Sequence, residues 1–190
     1  MTSFPYGSYR RRLRMVVEAP DLVSGGLEDD FHYFIVHVRH DGERVVSCEA
    51  ESLRWPWDTC PGAAEPLRGL AGMPLSDRCM AVGDWADPRM NCTHMFDLAG
   101  LTIAHAARAA AGSDEATRQY DVAIPYQAQW GGEKDVTLAR NGEPLHTWTL
   151  DGRDCVRPPP FSEVTNAREL SGRNVVERGR GPTLKVFSSF

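Results

Sequence analysis

Hydrophobic and polar positions alternate along the first third of the chain. From Tyr9 to Ala19, Leu13, Met15 and Val17 alternate with Arg12 and Arg14, which predicts a strand with one buried face. Leu22 to Asp30 contains Gly25-Gly26 and reads as a connection or a short strand. Phe31 to Arg39 alternates again, with Tyr33, Ile35 and His37 on one face and His32, Phe34, Val36 and Val38 on the other. His40-Asp41-Gly42-Glu43 is a hairpin turn in which Gly42 supplies the positive φ. Arg44 to Leu53 returns as a further strand. The pattern predicts an antiparallel β-meander.

The period then changes. Trp55-Pro56-Trp57-Asp58-Thr59-Cys60-Pro61 is a rigid lead-in. Pro61 suits a first helical position, where its missing N–H would have had no partner, so Cys60 falls near the N-cap of a short helix over 62–71. Gly72-Met73-Pro74 ends it, Leu75 to Val82 offers another helical turn, and Gly83 to Asn91 reads as a loop because Asp87-Pro88 discourages helix. From Cys92 the apolar spacing of Met95, Leu98, Leu101 and Ile103 predicts a long helix closed by Gly112-Ser113. Strands follow at Tyr120 to Ile124 and on both sides of Asn141-Gly142, a strong hairpin signal. The fold class is α+β: an antiparallel meander packed against helices over 8–112, a β-rich extension over 113–156 packed on that core, and a Pro/Arg/Gly-rich tail over 157–190.

Composition narrows the function classes. The chain has 190 residues, 42% of them hydrophobic, enough for a real core, and a net charge of −5. An acidic chain lacks the basic face that nucleic acid requires. Arg10, Arg11, Arg12 and Arg14 do cluster, but a strand splits them between two faces, so a solvated edge is the reading preferred over an anion clamp. Met1 to Ser8 does not read as a signal peptide, and no apolar run reaches the roughly 20 residues of a membrane span. These features lead to the expectation of a cytoplasmic protein with neither a nucleic-acid nor a membrane partner. Five cysteines at irregular spacing are not a secreted disulfide framework. Exposed strand edges and the apolar stretch Leu184 to Phe190 are compatible with a homodimer.

The candidate chemistry lies at the ends of elements. Cys92-Thr93-His94 opens the long helix and Cys60 opens the short one. At a helix mouth the backbone N–H groups and the dipole favour a thiolate. Asp30 and His32 stand where a strand begins. Asp30, His32, Cys60 and Cys92 form the candidate ligand set for zinc or iron. His94, Glu28 and Asp29 are the candidate proton carriers, and Asp97 is a helix cap or an outer support. Packing explains the same residues as well: Cys60 and Cys92 as small buried hydrophobes, His94 as a cap, and His32 as a half-buried sheet residue. Trp55 and Trp57 wall a pocket beside the site or lid the core, and Trp85 is a lid or a staple. No nucleophile elbow, phosphate loop or dinucleotide fingerprint occurs.

At Leu27-Glu28-Asp29-Asp30 with His32, at Thr59-Cys60-Pro61 followed by Leu67 to Leu75, and at Cys92-Thr93-His94-Met95, the chain resembles a bacterial family catalogued as a domain of unknown function, number 2889 in its series. The resemblance covers roughly residues 8 to 150 and implies no activity. More distantly, the order of parts is similar to the iron–sulfur cluster scaffold proteins. Aligning the turn at Asp41-Gly42 implies that Asp30 stands at their first Cys and His32 at their Asp. Cys60-Pro61-Gly62-Ala63 then falls on their second Cys, and Asn91-Cys92 on their final His–Cys pair. Asp30 replaces a thiol, and the His follows the last Cys, so a mononuclear ion suits this set better than a cluster.

Together these readings lead to an expected metal-dependent enzyme, of hydratase, dehydratase or hydrolase type, acting on a small organic molecule. The alternative is a non-enzymatic metal or iron–sulfur carrier, or a sulfur-handling adaptor.

Overall fold

The structure, a computed structural model, describes residues 8–125, 134–150 and 155–157. The opening seven residues and the expected tail, Arg157 apart, lie outside them. The described chain is α+β. Eight antiparallel strands form one sheet: β1 (Ser8–Ala19), β2 (Leu22–Asp29), β3 (Tyr33–His40), β4 (Val45–Arg54), β5 (Thr117–Pro125), β6 (Lys134–Arg140), β7 (Glu143–Leu150) and β8 (Cys155–Arg157). Their order is β4-β3-β2-β1-β5-β6-β7-β8. The first four form the expected meander, and Leu22 to Asp29 is a full strand rather than a connection. Strands past Gly112 continue the same sheet by pairing β5 along β1, which places the first strand in its interior.

Alternation decides the inner face. Leu13 and Met15 of β1, Val23 and Leu27 of β2, and Phe34, Val36 and Val38 of β3 are all buried. The register stacks them in rows, with Leu13 opposite Leu27 and Leu27 opposite Phe34. The turns follow from local chemistry. Gly42 has φ +97°, and the Asp41 carboxylate accepts the Glu43 and Arg44 N–H groups at 2.9 and 2.7 Å. Asn141 and Gly142, with φ of 51° and 87°, connect β6 to β7.

Between β4 and β5 the chain forms helical pieces. The segment expected as a short helix after Cys60 is 3-10, Pro61–Leu70, with Pro66 inside it. Two further short turns, α1 (Val82–Trp85) and a 3-10 turn over Pro88–Met90, occupy most of the expected loop. Trp85 acts as the staple, its indole N–H donating to the Gly69 carbonyl at 3.0 Å. The long helix is α2 (Thr93–Ala110), with Cys92 as its extended N-cap. It ends where Gly112 turns at φ +89° and Ser113 N–H returns to the Arg108 carbonyl at 3.0 Å.

Helix α2 lies over the inner face of β1–β3. Met95, Leu98 and Ile103 are essentially without exposure, and each such burial contributes about 1.5–3 kcal/mol gross. Two glycines permit the close approach. A Cβ on Gly25 of β2 would strike the Thr102 hydroxyl, and one on Gly100 would strike the Cys79 carbonyl.

Candidate functional site

The polar groups gather where the N-terminus of α2 meets the Asp29 end of β2. Odd positions of β1 face inward, so Arg11 and Tyr9 continue the inner row of Leu13 and Met15, while Arg10, Arg12 and Arg14 face solvent. Odd positions of β2 face inward too, which ends that row on Asp29. The register sets Arg11 directly opposite Asp29. Arg11 is 2% exposed and Asp29 4%, a buried ion pair at 2.7 Å.

Asp29 is saturated with donors. Its Oδ2 accepts from the Tyr9 hydroxyl at 2.8 Å and from Arg11 Nε and Nη2 at 3.0 and 2.7 Å. Its Oδ1 accepts the backbone N–H groups of Phe31 and His32, each at 2.8 Å, and lies 2.9 Å from His32 Nδ1. Burial by itself would raise this carboxyl. The Phe31 N–H, the Arg11 charge and the Tyr9 hydroxyl outweigh it and hold Asp29 well below the usual carboxylate range. The same burial, with the Asp29 hydrogen bond, raises the Tyr9 phenol above its ordinary value despite Arg11.

His94, on the first turn of α2, stacks on His32 with ring centroids 4.2 Å apart. Arg11 Nη2 lies 3.1 Å from His94 Nε2. A guanidinium only donates, so Nε2 is the acceptor and the imidazole proton sits on Nδ1. Burial first, then the charges of Arg11 and His32, lower the His94 pKa to about 4 despite the pull of Asp29, so the ring is neutral. Asp97, one turn further along α2, is partly buried. Burial pushes its carboxyl up to about 8, with the Arg11 charge opposing.

Cys92 occupies the N-cap of α2, as expected, but its thiol is not activated. Burial raises it above its ordinary value. The backbone N–H groups of Met95 and His94 pull the other way without overcoming it, and the charges of Cys60 and Asp97 add to the rise. This corrects the expectation of a thiolate there: the dipole acts over one turn, but the desolvation is larger. Cys60 sits at the N-cap of the 3-10 segment with right-handed helical backbone. Both residues are partly buried and pack against the same core.

The structure thus brings together Asp29, His32 and His94, and beside them Cys92, Cys60 and Asp97. It leaves out two of the expected residues. Asp30 is exposed, one position past the inward Asp29. Glu28 faces outward and pairs with Arg54 at 3.2 Å. Among the described residues no three His, Cys, Asp or Glu side chains converge to hold a metal ion. Arg11 and Tyr9 are the members that the sequence reading missed. Their signal was parity with Leu13 and Met15.

An expected consequence concerns Asp97. Its folded pKa lies above the unfolded value of 3.8, so its contribution to stability is complete below about pH 4 and lost as pH rises through 8. Asp97→Asn should therefore remove an alkaline loss of about 3 kcal/mol. Urea midpoints at pH 6 and pH 9 check this: they should converge in the variant and differ in the wild type.

No helix among the described residues is long and apolar enough to cross a membrane. Comparison of the chain with family models, with curated proteins and with solved structures gives no match.

Proposed function

We propose that the protein is an enzyme that moves a proton on a small organic molecule, in a hydration, dehydration or hydrolysis. The observation that carries this reading is the buried Asp29 carboxylate at 2.9 Å from His32 Nδ1. An ionised carboxylate there keeps the His32 proton on Nδ1, leaves the Nε2 lone pair to act as base, and steadies the imidazolium that forms. His94, held neutral with its proton on Nδ1, supplies a donor within one ring-stacking distance of that base. Asp97 carries a proton at neutral pH and serves as the acid of the site. Asp29 itself is a positioning residue, because its lone pairs are already engaged.

The test is turnover of a panel of activated esters, β-hydroxy acids and enoyl acids by the wild type and by His32→Ala and His32→Gln. A hit should lose about a hundredfold or more in kcat/KM in both variants. Its wild-type activity should fall as pH rises through about 8, where the Asp97 acid loses its proton. Equal rates in wild type and both variants would remove this reading.

A second reading is favoured by the packing of Cys60 and Cys92 on one apolar core at the starts of two helical segments: a zinc or iron enzyme, or a metal or iron–sulfur carrier of the scaffold-like kind. The donor set fits it in part. His94 Nε2 is taken by Arg11, and no three His, Cys, Asp or Glu side chains converge among the described residues, short of the four ligands that zinc takes in closed sites. Metal analysis of freshly purified protein decides the matter. Stoichiometric zinc or iron that is lost in Cys60→Ser supports this reading, and metal-free protein that Cys60→Ser leaves unchanged ends it.

A further inference from the structure

Large apolar side chains stay open to solvent at the corner of the sheet that carries His32. Phe31 is 58% exposed and Trp55 42%, and Leu53 is exposed as well. The β3–β4 register gathers them: Tyr33 pairs with Arg54, and each of the three lies within two residues of that pair. Arg54 ties the corner together. Its Nη2 donates to the Asp29 carbonyl at 2.6 Å and to the His32 carbonyl at 3.4 Å, which holds the end of β4 against the turn from Asp29 to His32. Phe31 is fixed in that turn by its own N–H, which donates to Asp29 Oδ1 at 2.8 Å. Its ring meets the His32 ring edge to face, with centroids 6.5 Å apart and planes at 76°. The His32 side chain beside it is partly exposed. Apolar residues exposed singly need no explanation, but a group of them joined to a polar site marks a place where the apolar part of a ligand is covered. The charges of this corner are engaged already. Arg54 pairs with Glu28 at 3.2 Å and Arg11 with Asp29 at 2.7 Å. Both guanidinium groups that touch the turn are thus held by protein oxygens, and apolar contact is the chief means of recognition that remains.

We propose that Phe31 and Trp55 receive an uncharged aromatic ring of the substrate, and so set the specificity of the His32 site for aryl-bearing small molecules. Aromatic rings prefer to meet edge to face or offset, and each such pair adds to what its buried area contributes. Phe31 meets His32 in this way and leaves more than half of its surface for a second ring. A ring seated there lies beside the imidazole, so the group that it carries is presented to His32. The inference rests on the reading of His32 as the base for the reaction, but the binding it predicts is measured apart from turnover.

The test titrates the full chain with benzamide, an uncharged aryl probe, and with cyclohexanecarboxamide, the same skeleton with a saturated ring. Binding is followed by NMR at the His32 ring protons. Benzamide should shift them and bind about threefold or more tightly than the saturated probe. Phe31→Ala and Trp55→Ala should each weaken benzamide about three- to tenfold. Phe31→Leu, which keeps an apolar side chain and loses the ring, should weaken benzamide and leave cyclohexanecarboxamide as in the wild type. Three results would overturn the proposal: no shift of the His32 signals with benzamide, equal or tighter binding of the saturated probe, or wild-type affinity for benzamide in Phe31→Ala and Trp55→Ala. Turnover separates this proposal from the reading it rests on. Benzamide bound beside His32, with equal turnover in wild type and His32→Ala, keeps the aromatic subsite and removes the base. Turnover that depends on His32 but distinguishes neither aryl from alkyl esters nor wild type from Phe31→Ala keeps the base and removes the subsite.

Discussion

Asp29→Ala is expected to cost about 3–5 kcal/mol of folding stability, because it strands the Arg11 guanidinium in the interior. Arg11 is 2% exposed, and its charge is balanced by the Asp29 carboxylate at 2.7 Å. Removing the carboxylate also deprives the Tyr9 hydroxyl, the Phe31 and His32 N–H groups and the His32 ring of their acceptor. Removing the stranded charge should restore part of the stability: Arg11→Met combined with Asp29→Leu should recover the share due to the uncompensated guanidinium, and leave the share due to the Tyr9, Phe31 and His32 donors without an acceptor. Urea unfolding of the two singles and the double closes the cycle. A single-variant cost below about 1 kcal/mol would mean that this pair is not desolvated as described. The pH dependence carries the same sign. The folded Asp29 pKa is depressed from its unfolded value of 3.8, so its contribution is present above about pH 4 and is lost as pH falls through the folded value. Acid should therefore unfold the wild type before it unfolds the double variant.

Gly100→Ala should destabilise by about 2–3 kcal/mol, although alanine is the better helix former by about 1 kcal/mol. The added Cβ meets the carbonyl oxygen and carbon of Cys79 and the Val82 methyl. Two of those three atoms are backbone and have no rotamer to change, so the 79–85 segment must move off α2 as a unit. Gly25→Ala makes a useful contrast. Its Cβ meets the Thr102 hydroxyl and a Leu98 methyl, which are side-chain atoms, and its cost should be the smaller of the two. Thermal unfolding of both variants, with the double variant Gly25→Ala/Thr102→Ala, checks this: the second change should relieve Gly25→Ala and leave Gly100→Ala unrelieved.

Much of the scaffold was legible before any coordinates. The meander, the turn at Gly42 and the helix opened at Cys92 rest on alternation, a positive φ and a 3.6 period, all local properties. The segment after Cys60 was legible as helical but not as 3-10, because Pro66 removes an N–H inside it. The site was legible by neighbourhood and not by membership. Asp30 and Asp29 are adjacent acids at a strand end, and which of them turns inward depends on where the strand stops. Arg11 was legible by parity with Leu13, yet a guanidinium at an inward position is sensible only once Asp29 is known to face it across β1 and β2.

The sequence by itself determined most of the strands, the long helix, the inward rows of the first strands and the two thiols at the starts of helical segments, because periodicity and capping act over a few residues. Only the tertiary structure decided the rest. The β1–β2 register set Arg11 against Asp29, and the docking of α2 laid His94 on His32. Burial then settled the charges, leaving Asp29 ionised, Asp97 protonated, His94 neutral and Cys92 a thiol. Desolvation depends on what the whole chain places around a group, and the local helix-mouth field at Cys92 was the smaller effect.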